Sequence, residues 1–275
     1  MGVYLRPRCL EEALSALARP HTVLAGGTDF YPARVGRAIG EDVLDIGGIA
    51  DLRGITEGEP GWRLGATTTW SELIESDLPP LFDGLKQAAR DVGGRQIQNA
   101  GTLAGNICNA SPAADGVPCL LALDAEVELA GPASRRRLKL RQFITGVRRT
   151  ALAPGELVVG LHVPRPRHEA ESAFLKLGAR RYLVISIVMA AATLEFVDGR
   201  VAAARVAVGA CSPVAERLPA LEAALVGAGR DGLAAAVDAA QLSPLSPIDD
   251  VRGSAAYRRD SVVTVLRRLL AGFAS

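Results

Sequence analysis

The chain lacks the marks of most function classes open to a protein of its size. It has no C-x-x-C pair and no cluster of cysteine with histidine. Cys9, Cys108, Cys119 and Cys211 stand apart, so a zinc or iron–sulfur site of the usual spacing is excluded, and free thiols in a reducing compartment are expected. It has no excess of one charge either: 31 Lys and Arg face 30 Asp and Glu, a net charge of +1 that argues against nucleic acid as a partner. No stretch reaches the roughly 18 apolar residues of a membrane span, and no basic segment leads into an apolar one at the N-terminus, so a cytoplasmic location without a membrane span is expected. Neither G-x-G-x-x-G nor G-x-x-x-x-G-K-[ST] occurs, which removes Rossmann and P-loop nucleotide sites. His21, His162 and His168 have no partnered nucleophile, and no carboxylate pair is spaced for acid–base work. Internal repeats and low-complexity tails are absent as well.

Two glycine-bearing segments remain. One is Ala25-Gly26-Gly27-Thr28-Asp29, after the apolar run Val23-Leu24. The other is Thr102-Leu103-Ala104-Gly105-Asn106-Ile107, with Ser111-Pro112 and Asp115 close behind. Glycine permits positive φ and close backbone approach, so consecutive N–H groups can point at a phosphate. The adjacent Thr, Ser, Asn and Asp offer hydroxyl, amide and carboxylate contacts. Either segment alone also reads as an ordinary turn or a self-capped loop. Together they read as a dinucleotide cradle.

The pattern around them is mixed α and β. Helical spacing from Cys9 to Ala18 precedes strand-like Thr22–Leu24 and Val43–Ile46, so the first glycine loop leaves a strand end where phosphates are commonly held. A strand is predicted over Trp62–Thr69, a short helix over Trp70–Glu75 capped by Thr69, and a helix over Leu81–Val92 ended by Gly93-Gly94. A helix from Pro112 to about Leu123, capped by Ser111, follows the second segment. Strands are then predicted at Ala125–Leu129, Arg137–Leu140 and Glu156–Val163, with Gly131-Pro132 turning between the first two. The run from Arg135 to Arg141 reads as a solvated strand face, or else as a surface for a partner subunit. Pro164-Arg165-Pro166-Arg167-His168 is the expected boundary between residues 1–166 and 167–275. Within the first region, a break near residue 56 separates two subdomains. Beyond it, Val184–Val197 and Arg200–Ala210 flank the hairpin signal Asp198-Gly199. Helices are predicted at about 213–226, 232–240 and from Ser254. With 49% hydrophobic and 22% charged residues, the chain can bury two or three packed units.

In sequence order, the two glycine segments, Phe174-Leu175-Lys176 leading to Arg180-Arg181, and Tyr257-Arg258-Arg259 with Arg267-Arg268 span nearly the whole chain. By these motifs it resembles the flavoprotein (medium) subunit of the molybdenum hydroxylases, the group of xanthine dehydrogenase and aerobic carbon monoxide dehydrogenase. The resemblance implies an α+β architecture: a two-subdomain FAD-binding fold of the vanillyl-alcohol oxidase type, then a C-terminal domain of three-stranded antiparallel sheet and helices. It implies FAD in this chain, a molybdopterin cofactor in a large partner subunit and [2Fe–2S] clusters in a small one. An external electron acceptor would complete the chain.

Carried over position by position, the resemblance places Leu24, Ala25, Gly26, Gly27, Thr28 and Asp29 around the FAD diphosphate and ribitol. Thr102, Gly105 and Asn106 would contact it from the second subdomain, and Ser111 and Asp115 on the adenosine or ribose side. Val158 would pack on the flavin ring, Lys176 would lie at its pyrimidine edge, and Tyr182 would stack over or beside it. A cation at that edge favours negative charge on reduced flavin. Two departures stand out. Ala104 replaces the first glycine of a Gly-Gly pair, and Leu183 and Val184 stand where an acidic residue is frequent. The acceptor is therefore left open among quinone, NAD, dioxygen and a carrier protein. A stand-alone FAD-dependent oxidoreductase and a flavin-free scaffold subunit remain the alternative readings.

Overall fold

A computed structural model describes residues 2–274. The chain opens with a small parallel sheet, β1 (Tyr4–Leu5), β2 (Thr22–Leu24) and β3 (Val43–Asp45), in the order β1-β3-β2, with helix α1 (Leu10–Ala16) between its first two strands. Leu10, Ala13, Leu44 and Ile46 turn inward from this unit and meet Ala130, Leu157 and Val159 on the back of a larger sheet.

That larger sheet is antiparallel. It contains β4 (Ile55–Gly58), β5 (Gly61–Gly65), β6 (Glu126–Ala130), β7 (Arg135–Lys139) and, after further short elements, β10 (Leu157–Pro164), in the order β4-β5-β10-β6-β7. Its other face is covered by helices inserted between β5 and β6: α2 (Trp70–Glu75), α3 (Asp83–Asp91), α4 (Arg95–Ala100), α5 (Leu103–Asn109) and α6 (Gly116–Ala122). Thr69 caps α2 through a capping box, accepting from the Glu72 amide while Glu72 accepts from the Thr69 amide. Helix α7 (Leu140–Phe143) and the two-stranded β8 (Ile144–Gly146) and β9 (Arg149–Thr150) lead from β7 to β10.

The C-terminal sheet is β11 (Glu169–Leu177), β12 (Val188–Val197), β13 (Arg200–Gly209) and β14 (Glu216–Arg217), all antiparallel and paired in that order. The three long strands match expectation, with a two-residue edge strand added. Asp198 and Gly199, at φ 50° and 74°, form the tight turn between β12 and β13. Strand β12 is buried on both faces as far as Glu195, which explains why Val188–Leu194 is apolar except for Thr193. Met189 and Ala191 join the helix layer of the first sheet, whereas Val188, Ala190, Ala192 and Leu194 face α8 (Pro219–Leu225) and α9 (Ala255–Ala271). The layer containing α3 and α6 therefore serves two sheets at once, and Gly84 lets α3 press its backbone on Ala173 of β11.

Local expectations differ at several places: the helix expected from about residue 213 begins at Pro219, after β14, and the strand expected from Val184 begins at Val188. The segment Thr102–Asn106, read as a loop, is helix α5, whose first turn is capped by Thr102 Oγ1 accepting from the Gly105 amide at 3.0 Å. The helix expected from Pro112 starts only at Gly116, and the Pro112 carbonyl accepts from the distant Ala210 amide at 2.9 Å. Ser111 consequently closes a local turn with the Ala113 amide at 3.3 Å. Residues 230–242 form single 3₁₀ turns instead of a helix, and Asp238 turns its side chain onto the Ala240 amide. In the basic run of β7, Arg135 meets Glu128, Arg136 grips Glu156 through two bonds of 2.6 and 2.7 Å, and Lys139 meets Asp124 and Glu126.

Candidate cofactor site

A cavity of about 590 Å³ opens between the parallel-sheet unit and the second sheet, within the range of small-molecule sites. One wall is Leu24–Asp29, as the chain leaves β2. The other is α5 from Thr102 through Asn109, closed behind by Val158 of β10. The two walls touch. A Cβ on Gly26 would fall 1.8 Å from the Ala100 carbonyl oxygen and 3.0 Å from the Gly101 α-carbon, so only glycine lets the first loop seat against the entry to α5. Gly27, at φ +71°, then reverses the chain past the Tyr31 ring.

The donor set suits a polyanion with hydroxyls. Chain turning after Gly27 is held by Tyr31 N to Gly27 O and Ala33 N to Asp29 O, which leaves the amides of Gly26, Gly27, Thr28 and Asp29 without a backbone or side-chain acceptor among the described residues. Such consecutive free amides form an anion-binding concavity. Asn106 lines the opposite wall, but its Oδ1 is turned inward toward Gly116 of α6, where it is buried without a hydrogen-bond partner among the described residues. Ala104 lies within α5 at negative φ, so its replacement of glycine imposes no strain.

Several pocket residues had no clear sequence signal. Phe30 and Arg34 line the first wall, with the Arg34 guanidinium 3.8 Å over the Phe30 ring and bound to Glu41. Glu156 lines the second and is held below the usual carboxylate range, first by its hydrogen bonds from Arg136. Cys108 faces the cavity too, its thiol pushed by burial up to about 12.

Four expected residues lie off the cavity wall: Ser111, Asp115, Lys176 and Tyr182. Asp115 and Lys176 form a buried ion pair at 2.8 Å, and Ser186 Oγ donates to the other Asp115 oxygen at 2.5 Å. Burial raises the Asp115 carboxyl above its ordinary value, against the opposing pull of Lys176 and Ser186. Tyr182 is exposed, with Arg181 5.2 Å from its ring. It lies in the irregular stretch between β11 and β12, where Leu183 adopts φ +52° and reaches back to Gly94.

The fold and site define a protein with one cavity between its N-terminal parallel-sheet unit and its second sheet, flanked by the C-terminal sheet across a shared helix layer. Residues 1–166 match the FAD binding domain in molybdopterin dehydrogenase, and residues 173–272 match the CO dehydrogenase flavoprotein C-terminal domain. The chain is 31% identical to the putative xanthine dehydrogenase FAD-binding subunit of Escherichia coli K12, covering 97% of this chain and 94% of that one. It is 32% identical to the carbon monoxide dehydrogenase medium chain of Afipia carboxidovorans, over 96% and 94%. Among solved structures it superposes on Cu,Mo-CO dehydrogenase with a TM-score of 0.90 at 29% identity, covering 99% of this chain and 97% of that one. Quinoline 2-oxidoreductase from Pseudomonas putida 86 gives 0.88 at 26%, over 100% and 97%. The chain belongs to the FAD-binding medium subunits of the molybdenum hydroxylase family, of the xanthine dehydrogenase and carbon monoxide dehydrogenase type. It is an oxidoreductase subunit whose cofactor is FAD.

Proposed function

We propose that the chain is the electron-transfer subunit of a heteromeric molybdenum hydroxylase, taking electrons from [2Fe–2S] clusters of a small partner subunit and passing them to an external acceptor. Substrate chemistry would belong to a large subunit carrying the molybdopterin cofactor. The observation that carries this reading is the single cavity walled by both glycine-bearing segments, which meet at Gly26 and Ala100.

When bound, FAD supplies the redox chemistry, accepting one or two electrons and releasing them. The chain's own residues hold and shield it. The free amides of Gly26 to Asp29 would receive the diphosphate, with Thr102, Gly105 and Asn106 on the opposite wall. Leu24, Ala25 and Val158 would supply apolar surface against the bound cofactor. The buried Lys176–Asp115 pair, behind the wall, fastens the segment carrying Tyr182 by donating to the Val184 carbonyl at 3.2 Å. Of the carboxylates on the cavity wall, Glu156 is bound by Arg136, and the Cys108 thiol is held protonated.

Purification of the chain alone and with candidate partners tests this. The expected result is a yellow protein with flavin absorbance that accompanies molybdenum- and iron–sulfur-containing chains and turns over no substrate by itself. A chain that stays colourless after FAD addition would instead be a scaffold. One that oxidises substrate unaided would be a stand-alone oxidoreductase.

A further inference from the structure

The cavity is longer than the diphosphate site, and its far end carries a polar pair. Helix α5 rises about 9 Å from Leu103 to Asn109, and residues at both of its ends line the cavity. The first loop seats at the start of α5, against Ala100 and Gly101, close to Val92 and Ile97 and to Gly94, which Leu183 approaches. The other end is lined by the apolar Cys108, Leu152, Leu157 and Val158 and by Glu156, which Arg136 holds, with Asn109 and Arg148 also on the wall.

Arg148 is the one cavity-lining cation without a carboxylate partner among the described residues, since Arg34 is paired with Glu41. Its guanidinium donates instead to Asn109 Oδ1 and, at 3.3 Å, to the Asn109 carbonyl. Arg148 and Ala110 are both left-handed, at φ 57° and 46°, and the Arg148 amide donates to the Ala110 carbonyl at 2.9 Å. The turn that ends α5 and the turn before β9 thus lock each other. Because Arg148 has only donors, its bond fixes which end of the Asn109 amide is oxygen, and Nδ2 is left without an acceptor among the described residues.

We infer that Asn109 is the specificity-determining residue for the adenine of the dinucleotide, and that Arg148 is the residue that positions it. This rests on the proposed FAD site. An asparagine amide matches adenine at two atoms: Nδ2 donates to N7, while Oδ1 accepts from N6 and keeps the Arg148 bond on its second lone pair. The wall beside it offers apolar surface for the purine faces, with Val158 against the purine and not the flavin. The isoalloxazine is thereby sent to the end nearest the exposed Tyr182 segment, where redox partners can approach.

The test uses the full chain stripped of flavin, titrated with FAD and FMN and, by competition, with ADP and GDP. The wild type is expected to bind ADP about 5- to 150-fold more tightly than GDP, the discrimination of one bidentate base contact. Asn109→Ala and the isosteric Asn109→Asp should bring that ratio close to one and weaken FAD by a similar factor while FMN affinity stays unchanged. Arg148→Gln should move the ratio in the same direction. Melting temperatures of the flavin-free variants should stay within about 2 °C of the wild type. The inference is overturned if the ADP to GDP ratio survives in both Asn109 variants, or if FAD and FMN weaken equally. A wild type that binds FAD but treats ADP and GDP alike overturns this inference only, whereas one that binds no FAD removes the cofactor site as well.

Discussion

Lys176 Nζ lies 2.8 Å from Asp115 Oδ2, with the two side chains 5% and 9% exposed. The pair joins the head of α6 to β11, and Lys176 also donates to the carbonyls of Asp91 and Val184. One ammonium thus ties the end of α3, the start of α6 and the stretch before β12. Taking two charges out of water consumes most of their attraction, yet deleting one partner strands the other.

Lys176→Met is therefore expected to destabilise the protein by about 3–5 kcal/mol, and Lys176→Met with Asp115→Leu by less than Lys176→Met alone. Urea denaturation of both variants measures this. A single variant within about 0.5 kcal/mol of wild type would show that the pair is not buried in solution.

Gly26→Ala places a methyl group where the Ala100 carbonyl oxygen stands, so the two walls must part. The expectation is a loss of about 1–3 kcal/mol and weaker FAD binding. Gly40→Ala is the control, since a Cβ there meets nothing within 4 Å. Equal FAD affinity in the two variants would contradict the contact between the walls.

Acid should weaken the second wall at Glu156. Its folded-state pKa is lowered, chiefly by hydrogen bonds from Arg136. A lowered carboxylate stabilises the fold fully above its ordinary value of 4.5, and that contribution is lost as pH falls through the lower folded value. Glu156→Gln should thus show a shallower loss of stability below pH 4.5, read from melting temperature against pH. Parallel acid limbs for the two proteins would refute the assignment.

Three of the four thiols should be silent. Burial raises Cys108 and Cys211 to about 12 and Cys119 well above the usual value, leaving almost no thiolate near pH 8. Iodoacetamide is expected to modify Cys9 alone in the folded chain and all four in denaturant, as mass spectrometry would show. Cys108 labelling as fast as Cys9 would mean that its thiol is not held protonated.

Much of the architecture was legible because local signals and burial agree. Thr69 before Trp70 marks a capping box, Asp198-Gly199 a tight hairpin turn, and the Gly26-Gly27 pair a strand end that must bend. Helix α5 was hidden by Gly105 in its first turn, although Thr102 as cap and Leu103 with Ile107 on one face were available. The late start of α6 had no local signal, and there the Pro112 carbonyl meets the Ala210 amide, nearly a hundred residues away, a contact no local pattern announces.

The sequence by itself determined the chemistry on offer: two glycine segments with small polar neighbours, balanced charge and no nucleophile or metal cluster. These depend on residue type and short-range backbone freedom, which neighbours along the chain settle. Only the tertiary structure decided which of those residues share a cavity. It set Gly26 against Ala100, brought Arg148 to Asn109, and drew Lys176 and Asp115 away into a pair of their own. Each such meeting joins distant segments, and it is the packing of sheets on a shared helix layer that fixes them.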